Sequence, residues 1–283
     1  MSGRRADLHV HTTASDGMLT PEETVYEAAR VGIYAVGIAD HDTIEGVGPA
    51  LAVADDAGVI VVPGVEINTD VGDDELHILG YYVDPHSEAF AEHILTLRTG
   101  RHERGKRIVE QLNAAGLEIT FERVKEIADD ASIGRPHVAR AIVEAGYVRS
   151  INGAFGKYLV RGAPGYVGRF KLTPVEAVGI IREAGGVPVL AHPGHGKMTE
   201  RMMPELIEAG LRGIEVYHTD HTSAQSKWYR RIADKTGLIV TGGSDSHGPG
   251  MRKDIPIGNV TIDGAVVEKL RAASEEIRAG SAV

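Results

Sequence analysis

The sequence predicts an α/β fold of the barrel type, on three observations. Short apolar runs alternate with helical stretches over most of the chain, the pattern of repeated β–α units with short connections. At 283 residues the chain exceeds most single domains yet stays within reach of one α/β barrel. His41, Glu66, His192, His218 and the pair Asp245/His247 each end or follow an apolar run. In a parallel barrel such strand ends gather on one face, where active sites lie. A doubly wound sheet, the alternative, would spread them along a crevice.

Asp7-Leu8-His9-Val10-His11 alternates with the period of a strand, so His9 and His11 project to one side, and Asp16-Gly17 follows in a tight turn. Thr20-Pro21-Glu22-Glu23 supplies a cap, a first-turn proline and a capping-box glutamate for a helix reaching about residue 32. Residues 35–39 read as a buried strand emptying into Asp40-His41-Asp42. A helix over 44–57 and a buried strand over 59–67, carrying Glu66 near its end, come next. An alternating strand over 75–82 then holds His77 in its middle. From about 99 to 167 strand-like runs disappear and helices succeed one another, at 101–115, 121–131, 135–145 and 153–159. This reads as a helical insertion over 99–169, leaving 1–98 and 170–283 to the barrel. After a glycine-rich loop at 162–168 the alternation resumes. A capping box at Thr173 starts a helix ending at Gly185-Gly186, and strands at 187–191, 213–218 and 238–243 follow, with a helix at 223–236. A last strand over 258–262 and a helix over 265–278 close the chain.

Hydrophobic residues make up 42% of the chain, enough for a sizeable core. The net charge of −10 argues against a general nucleic-acid coat or an anionic membrane surface, though it leaves room for one basic patch. With no cysteine, disulfides and thiolate ligands are excluded, and any metal must sit on nitrogen and oxygen. No apolar run approaches the ~18 residues of a membrane span, and the start has no apolar targeting core. The expectation is a cytoplasmic protein with no membrane association and no obligate protein partner.

Nine residues stand out as candidate metal ligands: His9, His11, Asp16, His41, Glu66, His77, His192, Asp245 and His247. Singly, each has an ordinary role, a histidine capping a helix or a glutamate at a strand end. Jointly, nine imidazoles and carboxylates would all have to reach one barrel face by accident. Such a sulfur-free set suits Zn, Mn or Fe. It exceeds the three or four ligands of one catalytic zinc, and so points to two or three divalent ions with a bridging carboxylate.

Taken together, His9-Val10-His11 with Asp16-Gly17, Asp40-His41-Asp42, Pro63-Gly64-Val65-Glu66, Leu76-His77-Ile78-Leu79-Gly80, Ala191-His192-Pro193 and Ser244-Asp245-Ser246-His247 resemble the PHP (polymerase and histidinol phosphatase) family of metal-dependent phosphoesterases. They occur in the family's order in both halves of the chain. The resemblance implies a distorted seven-stranded β/α barrel with three metals. His9, His11, Glu66 and Asp245 would hold the first. Glu66, His77 and His192 would hold the second, with Glu66 bridging, and Asp16, His41 and His247 the third. The helical insertion and the segment Ile133-Gly134-Arg135-Pro136-His137 resemble the nucleoside 3',5'-bisphosphate phosphatase branch, whose relatives include 5'-to-3' exonucleases on short RNA or DNA.

Arg135 falls at an expected helix N-terminus, which favours an anion, and a guanidinium there can hold phosphate bidentately, with His137 beside it. The competing reading pairs Arg135 with Asp129 or Asp130. Arg98, Arg101, Arg104, Lys106 and Arg107 put five cations within ten residues. Arg101, Arg104 and Arg107 could share one helix face and receive a second phosphate, or belong to a solvated helix pairing with Glu103 and Glu110. His218 could serve as general acid for the leaving oxygen, whereas His221 reads more simply as a loop residue. The expected activity is hydrolysis of a phosphomonoester in which Glu66, His218 and Arg135 take part, on a phosphorylated small molecule, a nucleotide or a short RNA or DNA end. Against a nucleoside bisphosphate substrate stand histidinol phosphate or another small phosphomonoester and, in a different class, a non-catalytic metal-binding module.

Overall fold

The computed structural model describes residues 3–72, 74–129, 131–168, 172–195, 199–250 and 254–281. Eight strands form one sheet: β1 (Arg5–Val10), β2 (Ala35–Ile38), β3 (Ile60–Val71), β4 (Asp74–Tyr81), β5 (Val187–Leu190), β6 (Gly213–His218), β7 (Ile239–Gly243) and β8 (Ile262–Asp263). Their order is β7-β6-β5-β4-β3-β2-β1-β8. The sheet curls until its ends nearly meet. Past the end of β7, Asp245 N–H donates to the His9 carbonyl at 2.9 Å, and His11 N–H donates to the Ser246 carbonyl at 2.9 Å. These bonds close the barrel where β1 carries its two histidines, so the seam of closure is also part of the site.

The helices are α1 (Pro21–Arg30), α2 (Val47–Ala57), α3 (Glu88–Ala114), α4 (Phe121–Ala128), α5 (Arg135–Glu144), α6 (Ile151–Ala154), α7 (Pro174–Glu183), α8 (Thr199–Ala209), α9 (Ser223–Thr236) and α10 (Val266–Ser281). The capping boxes do what the sequence asks of them. At α1 the Thr20 hydroxyl accepts from Glu23 N–H at 3.1 Å while the Glu23 carboxylate accepts from Thr20 N–H at 2.9 Å. Thr173 and Glu176 repeat the arrangement at α7. No described helix is long and apolar enough to cross a membrane.

Four expectations need correction. The sheet is not parallel throughout: β3 and β4 pair antiparallel, Val71 opposite Asp74, because only two residues separate them and so short a link makes a hairpin. Consequently β3 runs on to Val71, past the predicted end at 67. The strand predicted over 258–262 shrinks to Ile262–Asp263, since Gly258 has φ +80 and donates its N–H to Asp7, which removes it from any ladder. Helix α3 is 27 residues long, so the predicted boundary at 98/99 falls inside a continuous helix. The boundary at 169/170 lies outside the described residues. Helix α8 was not foreseen, having a proline inside and a weak start. Residues from Ile108 to Val167 nonetheless bury an apolar cluster of their own, with Leu112, Val138, Ile142 and Leu159 among its most buried members.

Candidate metal centre

Every candidate ligand arrives at one end of the barrel, each by a local device. Strand β1 sends His9 and His11 to the same side, their rings 5.1 Å apart. The following loop is tied down by the buried Asp40 carboxylate, which accepts from Thr12 N–H at 2.7 Å, the Thr12 hydroxyl at 2.7 Å and the Ser15 hydroxyl at 2.6 Å. Gly17 is required there, because a Cβ would lie 2.5 Å from the His11 carbonyl oxygen. That loop presents Asp16, whose Oδ1 is 3.4 Å from His247 Nε2 and 4.0 Å from His41 Nε2. Backbone strain concentrates at the same end: Asp42, His192 and Asp245 have φ of 51°, 22° and 56°, a region L-residues seldom occupy.

Glu66 is the hub. Its Oε1 lies 2.8 Å from His77 Nδ1 and 2.9 Å from His192 Nε2. Its Oε2 lies 2.9 Å from His41 Nδ1, 3.4 Å from His11 Nε2 and 3.5 Å from His9 Nε2. Asp245 Oδ1 completes the near side, 3.1 Å from His11 Nε2 and 3.6 Å from His9 Nε2. The donors fall into overlapping groups whose atoms lie within 4.8 Å of one another: His11/Asp16/His41/His247, His9/Glu66/His192, His9/His11/Asp245 and His41/Glu66/His77. All nine sequence candidates are present. The overlap is greater than three separate ligand sets suggest, since His41 and His11 each reach two carboxylates.

Electrostatics separate the donors by role. Burial alone would raise the carboxyls of Glu66, Asp16 and Asp245, but the imidazoles packed against them hold all three well below the ordinary carboxylate range. Burial and the neighbouring His247 and His41 push His11 down to about 3. Burial opposes the charge on His247 too, yet Asp16 beside it raises that group to about 10. His9 Nε2, Asp16 Oδ1 and Glu66 Oε2 are buried inside the cluster, close to other ligand atoms but without a well-aligned hydrogen bond. Buried polar atoms without partners are costly, and a divalent cation accepting nitrogen and oxygen donors would satisfy them. The cluster therefore fits divalent metal binding.

Behind the ligands stands a row of buried acids that sequence reasoning did not single out. Glu215 on β6 is fully buried and accepts from His9 Nδ1 at 3.0 Å and from His192 N–H at 2.7 Å. The first bond fixes the His9 tautomer and leaves Nε2 toward Glu66 and Asp245. Asp7 accepts from Ser244 N–H and Gly258 N–H, both at 2.8 Å, and burial pushes its carboxyl up to about 6. Asp42 accepts from Asn68 N–H at 3.0 Å and pairs with Arg101. The signal for Glu215 was present, a carboxylate inside the apolar run Ile214–Val216. Asp7, Asp40 and Asp42 stood in the motifs, but a motif does not distinguish a ligand from its support.

A cleft of about 280 Å³ opens from the cluster, lined by Asp16, His41, His77, Asp245 and His247 on the barrel side. The insertion side contributes Arg101, Arg104 and Arg135. Gly134 joins the two sides: a Cβ there would lie 3.4 Å from Arg101 Nη1 and 3.7 Å from Asp16 Oδ2. Arg104 Nε donates to the Val167 carbonyl at 2.8 Å. Arg135 opens α5, as expected, but pairs with Glu75 at 3.4 Å, not with Asp129, while Asp130 lies outside the described residues. Of the remaining cations, Arg98 pairs with Glu45, and Lys106 and Arg107 are exposed.

Two residues expected to touch substrate do not line this cleft. His137 is buried, and its Nδ1 accepts from Gly134 N–H at 3.0 Å, so it closes the start of α5. His218 lies behind Asp245, its Nε2 3.4 Å from Oδ2 and its Nδ1 accepting from Asp220 N–H at 3.1 Å. His221, bonded to the Val216 carbonyl and Gly194 N–H, has the plain loop role.

Relatives bear directly on what this arrangement is. The chain is 37% identical over 249 residues to a 3',5'-nucleoside bisphosphate phosphatase of Chromobacterium violaceum, covering 86% of this chain and 87% of that protein. It is 34% identical to the 5'-3' exoribonuclease Rnm of Escherichia coli, covering 86% and 85%. A solved structure from Bifidobacterium adolescentis, assigned as a metal-dependent phosphoesterase, superposes with a TM-score of 0.88 at 32% identity, over 95% of this chain and 96% of that one. The PHP domain family matches residues 7–169, more than half of the chain and most of its ligand positions. On the barrel, its histidine- and carboxylate-lined mouth and these matches, the chain belongs to the PHP family of metal-dependent phosphoesterases and is a hydrolase of phosphoric esters.

Proposed function

We propose that this protein releases inorganic phosphate from nucleoside 3',5'-bisphosphates. The observation that carries the reading is the shared cleft: the ligand cluster and three arginines face one space of about 280 Å³, small enough for a single nucleotide. A monophosphate needs one anion site, whereas a bisphosphate needs two. The strand-end cluster would take the phosphate to be cleaved, and Arg101, Arg104 and Arg135 the other. The bisphosphate phosphatase of C. violaceum supports the same assignment.

In this reading two or three divalent ions, Mn, Zn or Fe, would be held by His9, His11, Glu66 and Asp245, by Glu66, His77 and His192, and by Asp16, His41 and His247. Such ions lower the pKa of water and neutralise charge on phosphoryl oxygens. The chain's own part is positioning. Glu66 spans two ligand groups with its two oxygens, and Glu215 and Asp40 hold His9 and the Asp16 loop in place. Arg101, fixed by Asp42, joins Arg104 and Arg135 in holding the phosphate that is not cleaved and offsets its charge. His218 orients Asp245 from behind and does not meet the leaving oxygen.

A second reading, removal of nucleotides from the 5' end of short oligonucleotides, is favoured by the E. coli exoribonuclease. Manganese-loaded protein assayed side by side on adenosine 3',5'-bisphosphate, a 5'-phosphorylated dinucleotide and histidinol phosphate decides between them. The proposal expects the bisphosphate to be the best substrate. Comparable slow release from all three would overturn it and leave an unselective phosphoesterase.

A further inference from the structure

The cleft has a part that neither metals nor phosphates explain. Leu97, Pro136, Ile151 and Phe155 line it with apolar surface, all from α3, α5 and the α6 segment. Ile151 and Phe155 stand four residues apart, on one helical face. The support beneath them is specific. Ser150 caps α6, accepting from Gly153 N–H at 3.1 Å, and after Ala154 the helix widens into a π-turn over Phe155–Leu159, with Val160 N–H donating to the Phe155 carbonyl at 3.1 Å. Such widened turns are uncommon and often sit at functional sites. Here Ala154, Tyr158 and Leu159 go into the insertion's buried cluster, while Phe155 packs against its edge and also borders the cleft. Among the described lining residues Phe155 carries the only aromatic ring besides histidine. The Arg135 guanidinium carbon lies 5.9 Å from that ring's centre.

We infer that Ile151 and Phe155, with Leu97 and Pro136, form a shelf on which the nucleobase of the substrate stacks. The inference rests on the nucleotide reading above and deepens it. A phosphorylated sugar or amino alcohol would bring hydroxyls or an amine against four side chains with no hydrogen-bonding group. A nucleobase brings a flat π-face, which an aromatic ring beside a guanidinium accepts well. The shelf reads that face and not the base edges, so the protein discriminates nucleotides from other phosphomonoesters and hardly one base from another.

Calorimetric binding to the manganese-loaded protein tests this without requiring turnover. Adenosine 5'-monophosphate should bind at least about tenfold more tightly than ribose 5-phosphate, the scale of one base–aromatic stack. Phe155→Leu keeps the apolar packing and should erase most of that advantage while leaving ribose 5-phosphate unchanged. Phe155→Trp should preserve it. Equal affinity of the wild type for the two ligands, an advantage retained in Phe155→Leu, or a preference of more than roughly tenfold among the four nucleoside monophosphates would overturn the shelf. Failure of the bisphosphate reading would be visible separately, as no phosphate released from adenosine 3',5'-bisphosphate while the binding difference persists.

Discussion

At the barrel mouth each carboxylate is wedged among imidazoles: Glu66 touches five of them, and its neighbours are held from behind by Glu215, Asp7 and Asp40. On the insertion side of the same cleft, Arg101, Arg104 and Arg135 are half-buried and come from two helices. Net charge divides the same way. Residues 99–169 hold 12 Lys and Arg against 8 Asp and Glu, and the rest of the chain holds 18 against 32. One half is a buried acidic cup suited to cations, and the other a cationic wall suited to what those cations bind. The first half should therefore govern whether chemistry occurs, and the second which molecule undergoes it.

The sharpest break of that contrast is Glu66→Gln. It keeps the shape but weakens both ligand groups at once, and kcat should fall on the order of 10³-fold for every substrate alike, together with bound manganese. Full turnover and full metal content in this variant would remove Glu66 from the centre of the site. Next in size is Glu215→Gln, which touches no expected ion. Manganese affinity should drop roughly 10- to 100-fold, with activity largely recovered at saturating metal, because the lost interaction fixes the His9 tautomer. A titration curve identical to wild type would mean that the cup is not held from behind.

The two halves also differed in how far the sequence disclosed them. The ligands were legible because strand ends converge by topology: once β1, β2, β3 and β5 are recognised, His9, His41, Glu66 and His192 have nowhere else to go. The supports were less so, since Glu215 looks like any acid until His9 is seen 3.0 Å away. The insertion wall was the least legible. Arg101 and Arg104 reach the cleft from within a 27-residue helix, and sequence periodicity does not encode where such a helix packs. His137 shows the limit most plainly. Its place beside Arg135 suggested substrate contact, but the start of α5 needed a partner for Gly134 N–H, and the imidazole turned inward to supply it.

On the insertion side, Arg135→Ala should raise KM for adenosine 3',5'-bisphosphate about tenfold and leave a plain phosphomonoester nearly untouched, the loss of a charge-assisted contact to one phosphate. Equal effects on both substrates would move Arg135 from selection to catalysis and blur the division between the halves.

His137 gives the smallest and most local test. Burial, the largest influence on it, lowers this imidazole to about 4 from an ordinary value of 6.5; Asp16 opposes that shift, and Arg140 and Arg101 reinforce it. Between those values the unfolded chain binds a proton that the folded chain refuses, so stability falls as pH drops through that window, by at most about 1.4 kcal/mol per pH unit. His137→Asn keeps an oxygen to accept Gly134 N–H but cannot titrate. It should cost little at pH 7.5 and lose part of the acid sensitivity. Thermal midpoints of the two proteins, measured without metal from pH 7.5 to 4, should therefore converge or cross as pH falls below 6.5. Titrating groups remote from His137 are common to both and cancel in the difference. A difference that stays constant over the whole range would mean that His137 titrates normally, and that the start of α5 is not closed by a buried neutral imidazole.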